Sequence, residues 1–302
     1  MFPTLGYMLH WLTGWDLSLP IPTFGFVMAV AFWAAYIVFT LELRRKQRMG
    51  AIPPNINIGR LMDRVLLLCG LIGFAGALLL AKLEDTDGLL HHPWRWLTHY
   101  HGLTWFGGLL FGAITYLIIL KRRGISLAVA ADIGSPGMML AYAIGRLGCH
   151  LSGDGDWGIP TKAPKPAWLS WAPDGFWSAH FPHNVLRQGV YLPGCSGEYC
   201  TVLPDGVFPT SLYESAVCLL LFGVLWALRR RLKTPGLLFY IYALMIGVER
   251  FLIEYIRVTP RHEFWGWTLT QAQLISLACI LIALTGIGYI LTASAKKAYF
   301  YL

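Results

Sequence analysis

Apolar stretches of about twenty residues recur along the 302-residue chain, at roughly 22–43, 62–82, 103–120, 126–147, 208–228, 235–257 and 269–293, each long enough to cross a hydrocarbon layer as a helix. A soluble fold has no use for this pattern, because its helices keep one face polar. Composition agrees, with 56% of residues apolar or aromatic and only 13% charged. The expected fold class is an all-α membrane protein whose seven transmembrane helices share one interior. Residues 1–148 carry helices one to four, 149–207 form a polar head, and 208–302 carry helices five to seven. The first stretch is preceded by no Lys or Arg and is too long for a signal-peptide core, so it is expected to be retained as a span.

The net charge of +8 would suit a nucleic-acid binder if the basic residues were spread over one surface. Instead they occupy alternate loops: Arg44, Arg45, Lys46 and Arg48; Lys121, Arg122 and Arg123; Arg229, Arg230, Arg231 and Lys233; Lys296 and Lys297. Cytoplasmic loops are enriched in Lys and Arg, so the expected orientation is N-outside and C-inside, with contacts to anionic membrane lipids and none to nucleic acid. The loop with Glu84, Asp85 and Asp87, and the segment 149–207, then face the other side. Trp11 and Trp15, Trp94 and Trp96, and Trp265 and Trp267 fall near the outer ends, where indole rings anchor helices in the interface.

The head is too polar to span and too long for a plain turn, so it is expected to be ordered. Its Cys195 and Cys200 flank a Gly-containing loop on the oxidising side, where either a disulfide or two free thiols would fit. Cys69, Cys218 and Cys279 lie in apolar runs and read as inert. No cysteine or histidine spacing is convincing as a metal site, and no cofactor is expected.

Ionisable groups within apolar runs ask for a partner or a function. In LAYAIGRLGCHLSGDGDWG, Arg146 is expected to end the fourth helix in a Gly-rich turn, where a guanidinium and backbone N–H groups approach one anion. In IGVERFLIEYIRV, Arg250, Glu254 and Arg257 share one face of the sixth helix, so that Glu254 pairs with one arginine and leaves the other for a substrate. Glu249 lies about 100° round that helix and faces a different partner. In FPTSLYESAVCL, Tyr213 and Glu214 follow Thr210 and Ser211 in the first turn of the fifth helix, where a carboxylate is favoured in any case. HHPWRWLTHYHGLTWFGGLLFG brings His91, His92, His99 and His101 before Gly102, Gly107, Gly108 and Gly112; the glycines permit close packing of helices or close approach of a lipid, and His101 suits a base near neutral pH.

Taken in order, IPTFG, HGLTWFGGLLFG, GRLGCHLSGDGDWG, FPTSLYE, GVERFLIEYIRV and LTQAQLIS resemble the prolipoprotein diacylglyceryl transferase family over nearly the whole membrane domain. The family's signature turn is matched by Arg146, Gly148, Gly153, Asp154 or Asp156, Trp157 and Gly158, with one extra residue. Cys149 and Ser152 replace two asparagines, Phe106 a histidine, and Phe24 and Ile246 two tyrosines. The resemblance implies transfer of a diacylglyceryl group from phosphatidylglycerol to the lipobox cysteine of a prolipoprotein signal peptide, releasing glycerol phosphate, in the bacterial inner membrane. It implies catalytic roles for Arg146 and Arg250 at the phosphate, with His101 or His150 as the proton acceptor in place of the missing histidine. Gly107, Gly108, Gly148, Asp154, Asp156, Tyr213, Glu214, Glu254 and Arg257 would line the substrate site. The alternatives are a divergent relative with another acceptor or none, and an anion or lipid transporter, against which the lack of an internal repeat counts.

Overall fold

Helices occupy all seven of the expected stretches in the computed structural model, which describes residues 1–15, 17, 19–84, 90–91, 94, 96, 104–264 and 267–299. They are α2 (Thr23–Arg48), α3 (Ile58–Glu84), α4 (Trp105–Arg122), α5 (Leu127–Ser152), α6 (Thr210–Arg231), α7 (Leu237–Ile253) and α8 (Gln271–Tyr299). Five of them, α2, α3, α5, α6 and α8, are long and apolar enough to cross a membrane. A short α1 (Leu5–Thr13) precedes them and stops at Gly14, whose φ of 74° lets its N–H turn back to the His10 carbonyl. The basic clusters that set the expected orientation include the last turns of α2, α4 and α6, where they also meet the negative end of the helix dipole.

The surface is inverted relative to a soluble protein. Phe32, Trp33, Leu67, Leu71, Phe74, Leu220, Leu281 and Ile282 are more than half exposed, whereas Glu214 and Glu254 are 0% and 1% exposed. Apolar exposure on this scale needs lipid as its solvent, so the chain is a multi-pass membrane protein. Trp11, Trp15 and Trp94 are exposed, and the Trp96 indole donates to the Lys82 carbonyl; Trp265 lies outside the described residues.

The chain divides into two compact units. Residues 36–134 form one, in which α3 packs on α4 and a core of Leu43, Met62, Leu120, Ile125 and Ile133 closes beneath them. Glycines set that helix contact: a methyl group on Gly107 would come within 2.3 Å of the Gly76 carbonyl oxygen, and Gly108 faces Ala77 and the Gly73 carbonyl. Of the two uses the sequence leaves open for these glycines, helix packing is the one realised at Gly107.

Residues 1–35 and 135–302 form the second unit, which holds α1, α6, α7, α8 and the head. Its membrane core is built by Met139 and Ala143 of α5, Cys218 and Leu225 of α6 and Leu238 of α7. The head lacks long helices. It consists of two 3-10 turns (Ala167–Leu169 and Asp174–Phe176) and a two-stranded hairpin, β1 (Val190–Tyr191) with β2 (Thr201–Val202), packed around Trp157, Ala179, Phe181 and Val207. Cys195 and Cys200 are joined as a disulfide across that hairpin's loop. A second hairpin, β3 (Arg261–Phe264) and β4 (Trp267–Thr270), links α7 to α8. The start of α8 is a capping box: the Thr270 hydroxyl accepts from the Gln273 N–H while the Gln273 side chain accepts from the Thr270 N–H.

Two boundaries differ from expectation. Helix α5 runs through Gly148 to Ser152, because Ser152 bonds back to the Gly148 carbonyl and Gly148 packs on Val27 of α2. Arg146 therefore projects from regular helix and not from a turn. Helix α7 ends at Ile253, so Arg257 lies beyond it, in a segment that pairs with the head through a Gly158–Arg257 bridge.

Candidate functional site

Three arginines converge on one carboxylate. Glu214, the fifth residue of α6 and fully buried, accepts from Arg250 Nη1 at 2.7 Å and from Arg257 Nη1 at 3.3 Å, and Arg146 Nε lies 3.3 Å away. Asp156 pairs with Arg146 and Arg257, and Glu254 approaches Arg250 Nη2 at 2.6 Å and Arg257 Nε at 3.5 Å. The cluster therefore brings together three guanidinium and three carboxyl groups, and the side chains of the three arginines keep 10–24% exposure. The sequence expectation that Glu254 would satisfy one arginine and leave the other free is corrected here: each arginine is shared between two or more carboxylates. Helix periodicity alone misses this, since two of the carboxylates arrive from α6 and the head.

Local structure explains how the groups meet. Gly153 and Gly155, at φ of 67° and 95°, turn the chain out of α5 into the head, a backbone path that side chains oppose. The segment that follows is laced on two sides: Gly158 N–H donates to Phe208 and Ile159 N–H to Ile256, while the Thr210 hydroxyl donates to the Asp156 carbonyl. A methyl group on Gly158 would lie 2.5 Å from the Ile256 carbonyl oxygen and 2.9 Å from Phe208 and Thr210. Asp156 is thereby fixed between the start of α6 and the segment carrying Arg257. Burial works against its ionisation, but Arg146 and Arg257 outweigh it and hold the carboxyl below its ordinary range. Burial pushes Asp154, which has no arginine ion pair, upward instead, an effect eased by its hydrogen bond with Cys149. Of the two acidic residues that the signature leaves as alternatives, Asp156 is the one in the cluster.

Several groups at this site carried no sequence reading. Tyr142, one turn before Arg146, donates its hydroxyl to Glu214 at 3.2 Å and lies under the Arg146 guanidinium, 5.0 Å from it. Its position four residues before an arginine was the available signal. Thr259 and Thr270 donate to Glu254 at 2.7 and 3.1 Å, so the capping box of α8 also holds the carboxylate that faces Arg250. This gives LTQAQ a physical role.

The remaining candidates have the following surroundings. Tyr213 donates its hydroxyl to the Phe176 carbonyl at 2.5 Å and ties the head to α6. The His150 ring packs edge-on against Phe181, with its Nδ1 buried and lacking a hydrogen-bond partner among the described residues. Gly107 and Gly108 belong to the unit of residues 36–134, and Gly148 faces Val27 and Phe24. His92, His99 and His101 lie outside the described residues. Cys149, Asp154 and Asp156 bring one ligand atom each within 4.8 Å of one another, but Asp156 is already taken by two arginines, whose charge opposes a cation.

Comparisons with known proteins point to one family. A phosphatidylglycerol–prolipoprotein diacylglyceryl transferase of Clostridium tetani is 27% identical over 269 residues, covering 88% of this chain and 92% of the relative. One from Leptospira interrogans is 27% identical and covers 86% of both chains. A Mycobacteroides abscessus enzyme of the same name is 35% identical over 196 residues, 64% of this chain and about half (51%) of its own. The family model described as prolipoprotein diacylglyceryl transferase matches residues 13–289, which takes in every long helix but the last turns of α8, and the whole arginine cluster; the chain belongs to that family.

Proposed function

We propose that this chain transfers the diacylglyceryl group of phosphatidylglycerol to the lipobox cysteine thiol of prolipoproteins in the bacterial inner membrane. A sulfur–carbon bond forms as the glycerol carbon–oxygen bond to phosphate breaks, and glycerol phosphate leaves. The observation that carries this reading is the set of three arginines gathered on Glu214. Three guanidinium groups offer about fifteen N–H donors, more than the seven close nitrogen–oxygen pairs with carboxylates engage among the described residues. The remaining donors suit the phosphate oxygens, on which negative charge grows as the bond breaks. Arg146 and Arg250 are assigned that role. Asp156, Glu214, Glu254 and Arg257 hold them in place, and Asp154 and Tyr213 border the site.

The thiol must also lose a proton, since at a pKa of about 8.5 it is mostly protonated at neutral pH. His101 and His150 remain the proposed acceptors, and closely spaced arginines favour the thiolate independently. In this reading all seven long helices span, the N-terminus is outside and the C-terminus inside, and the head covers the outer face.

The test is direct. Purified protein is incubated with labelled phosphatidylglycerol and a lipobox peptide, and lipidated peptide and glycerol phosphate are measured. Arg146→Ala and Arg250→Ala each lower turnover by about a hundredfold or more while the protein still folds. Absence of product from the wild type under conditions where another family member works rejects the assignment, and full activity in either variant removes that arginine from it.

A further inference from the structure

The head carries a short segment that the arginine cluster does not use. The backbone N–H groups of Leu169, Ser170 and Ala172 each donate to the carbonyl three residues earlier, so residues 166–172 wind as successive 3-10 turns. With three residues per turn, side chains three apart stack on one side. Leu169 and Ala172 take the inner side, where Ala172 is buried. Trp168 and Trp171 take the outer one and are 72% and 79% exposed. Two neighbouring indoles make an apolar surface that calls for a partner.

The segment is held firmly. Pro164, Pro166 and Pro173 restrict its backbone. Lys165 donates to the Ala172 carbonyl and pairs with Asp174 at 3.1 Å, and the Trp177 indole closes the loop by donating to the Ala163 carbonyl at 3.0 Å. The loop is also fixed to one side of α6: the Tyr213 hydroxyl donates to the Phe176 carbonyl, and Trp177 packs edge-on against Phe208, just before that helix. Tyr213 shares a face of α6 with Val217 and Leu220, four and seven residues further on, and both of those are exposed. The bundle leaves that face to lipid, so the loop overhangs lipid and not the interior of the bundle. Charge agrees with such a neighbour. Lys162, Lys165 and Asp174 are the charged residues of 161–177; the last two pair, which leaves an exposed Lys162 and a net positive charge suited to anionic headgroups.

We propose that Trp168 and Trp171 anchor the head in the headgroup layer of the membrane beside α6. An indole buries its ring among the upper acyl chains and keeps its N–H for water or headgroup oxygens. The same chain segment leaves the cluster at Asp156 and is laced in place at Gly158 and Ile159, so the anchor also tethers the part of the head that brings Asp156 to the arginines. This anchoring goes beyond the transferase reading, and its test needs no activity.

Full-length protein labelled with fluorotryptophan is placed in nanodiscs containing phosphatidylglycerol, one chain per disc. The fluorine NMR resonances of the two indoles are assigned by their loss in Trp168→Phe and Trp171→Phe, with Trp168→Tyr and Trp171→Tyr as the second pair should a Phe variant fail to fold. A nitroxide carried near the top of a lipid acyl chain is expected to erase both resonances, while a soluble gadolinium chelate leaves most of their intensity. Erasure by the chelate, with or without erasure by the nitroxide, puts the indoles in water and overturns the proposal. Survival with both reagents means that another part of the protein covers the loop, and overturns it too.

Discussion

Glu214 is the residue on which the site depends most, because all three arginines reach it. Removing one partner from a buried ion-pair network leaves the others uncompensated, which costs about 3–5 kcal/mol. Glu214→Ala is therefore expected to lower the melting temperature in detergent more than Tyr142→Phe, which deletes one hydrogen bond worth about 1 kcal/mol; thermal scans with a fluorescent thiol probe compare them. A smaller loss for Glu214→Ala would mean that Asp156 and Glu254 suffice. Asp156 gives a pH signature. Its folded-state pKa lies below the ordinary carboxylate value of about 4, so the folded protein binds fewer protons than the unfolded chain in that range. The stabilisation is complete above the unfolded pKa and is lost as the pH falls through the folded one. The melting temperature should drop on acidification, and Asp156→Asn should flatten that slope while lowering stability at neutral pH. An unchanged acid slope in the variant would contradict the pairing seen with Arg146 and Arg257.

At the scale of elements, α3 and α4 owe their close approach to glycines. A side-chain methyl at Gly107 would sit 2.3 Å from the Gly76 carbonyl oxygen, so Gly107→Ala must push the two backbones apart, and overpacking of this kind costs about 1–3 kcal/mol. Gly70 of α3 has open space around it, so Gly70→Ala serves as the control and is expected to be neutral or mildly stabilising through its better helix propensity. Equal melting temperatures for the two variants would dismiss the glycine contact. The head depends on a different device: the backbone bonds of Gly158 and Ile159 to Phe208 and Ile256 stitch it to the start of α6 and to the segment after α7, which accounts for a Trp-Gly pair following the acidic residue.

For the whole molecule, orientation is the property most open to test. Basic clusters that close α2, α4 and α6 predict that a reporter active only outside the cytoplasm reports after residue 160 and stays silent after residues 48, 123 and 233; the reverse pattern would invert the topology. Much of this protein was legible without coordinates. Apolar runs of membrane-spanning length determined where the seven long helices lie, because in lipid every backbone N–H must be satisfied within its own segment. Arg146, Glu214, Arg250, Glu254 and Arg257 were legible as site candidates for the same reason, a charge in an apolar run being too costly to keep without a use. Helix periodicity relates residues a few positions apart and says nothing of groups brought from other helices. It was therefore the tertiary structure that decided that Asp156 and not Asp154 joins the arginines, and that Tyr142, Thr259 and Thr270 support them. Those outcomes are set by which helix ends and head segments are laced together, and hydrogen bonds between residues a hundred positions apart, such as that of Arg257 with Asp156, leave no local mark in the chain.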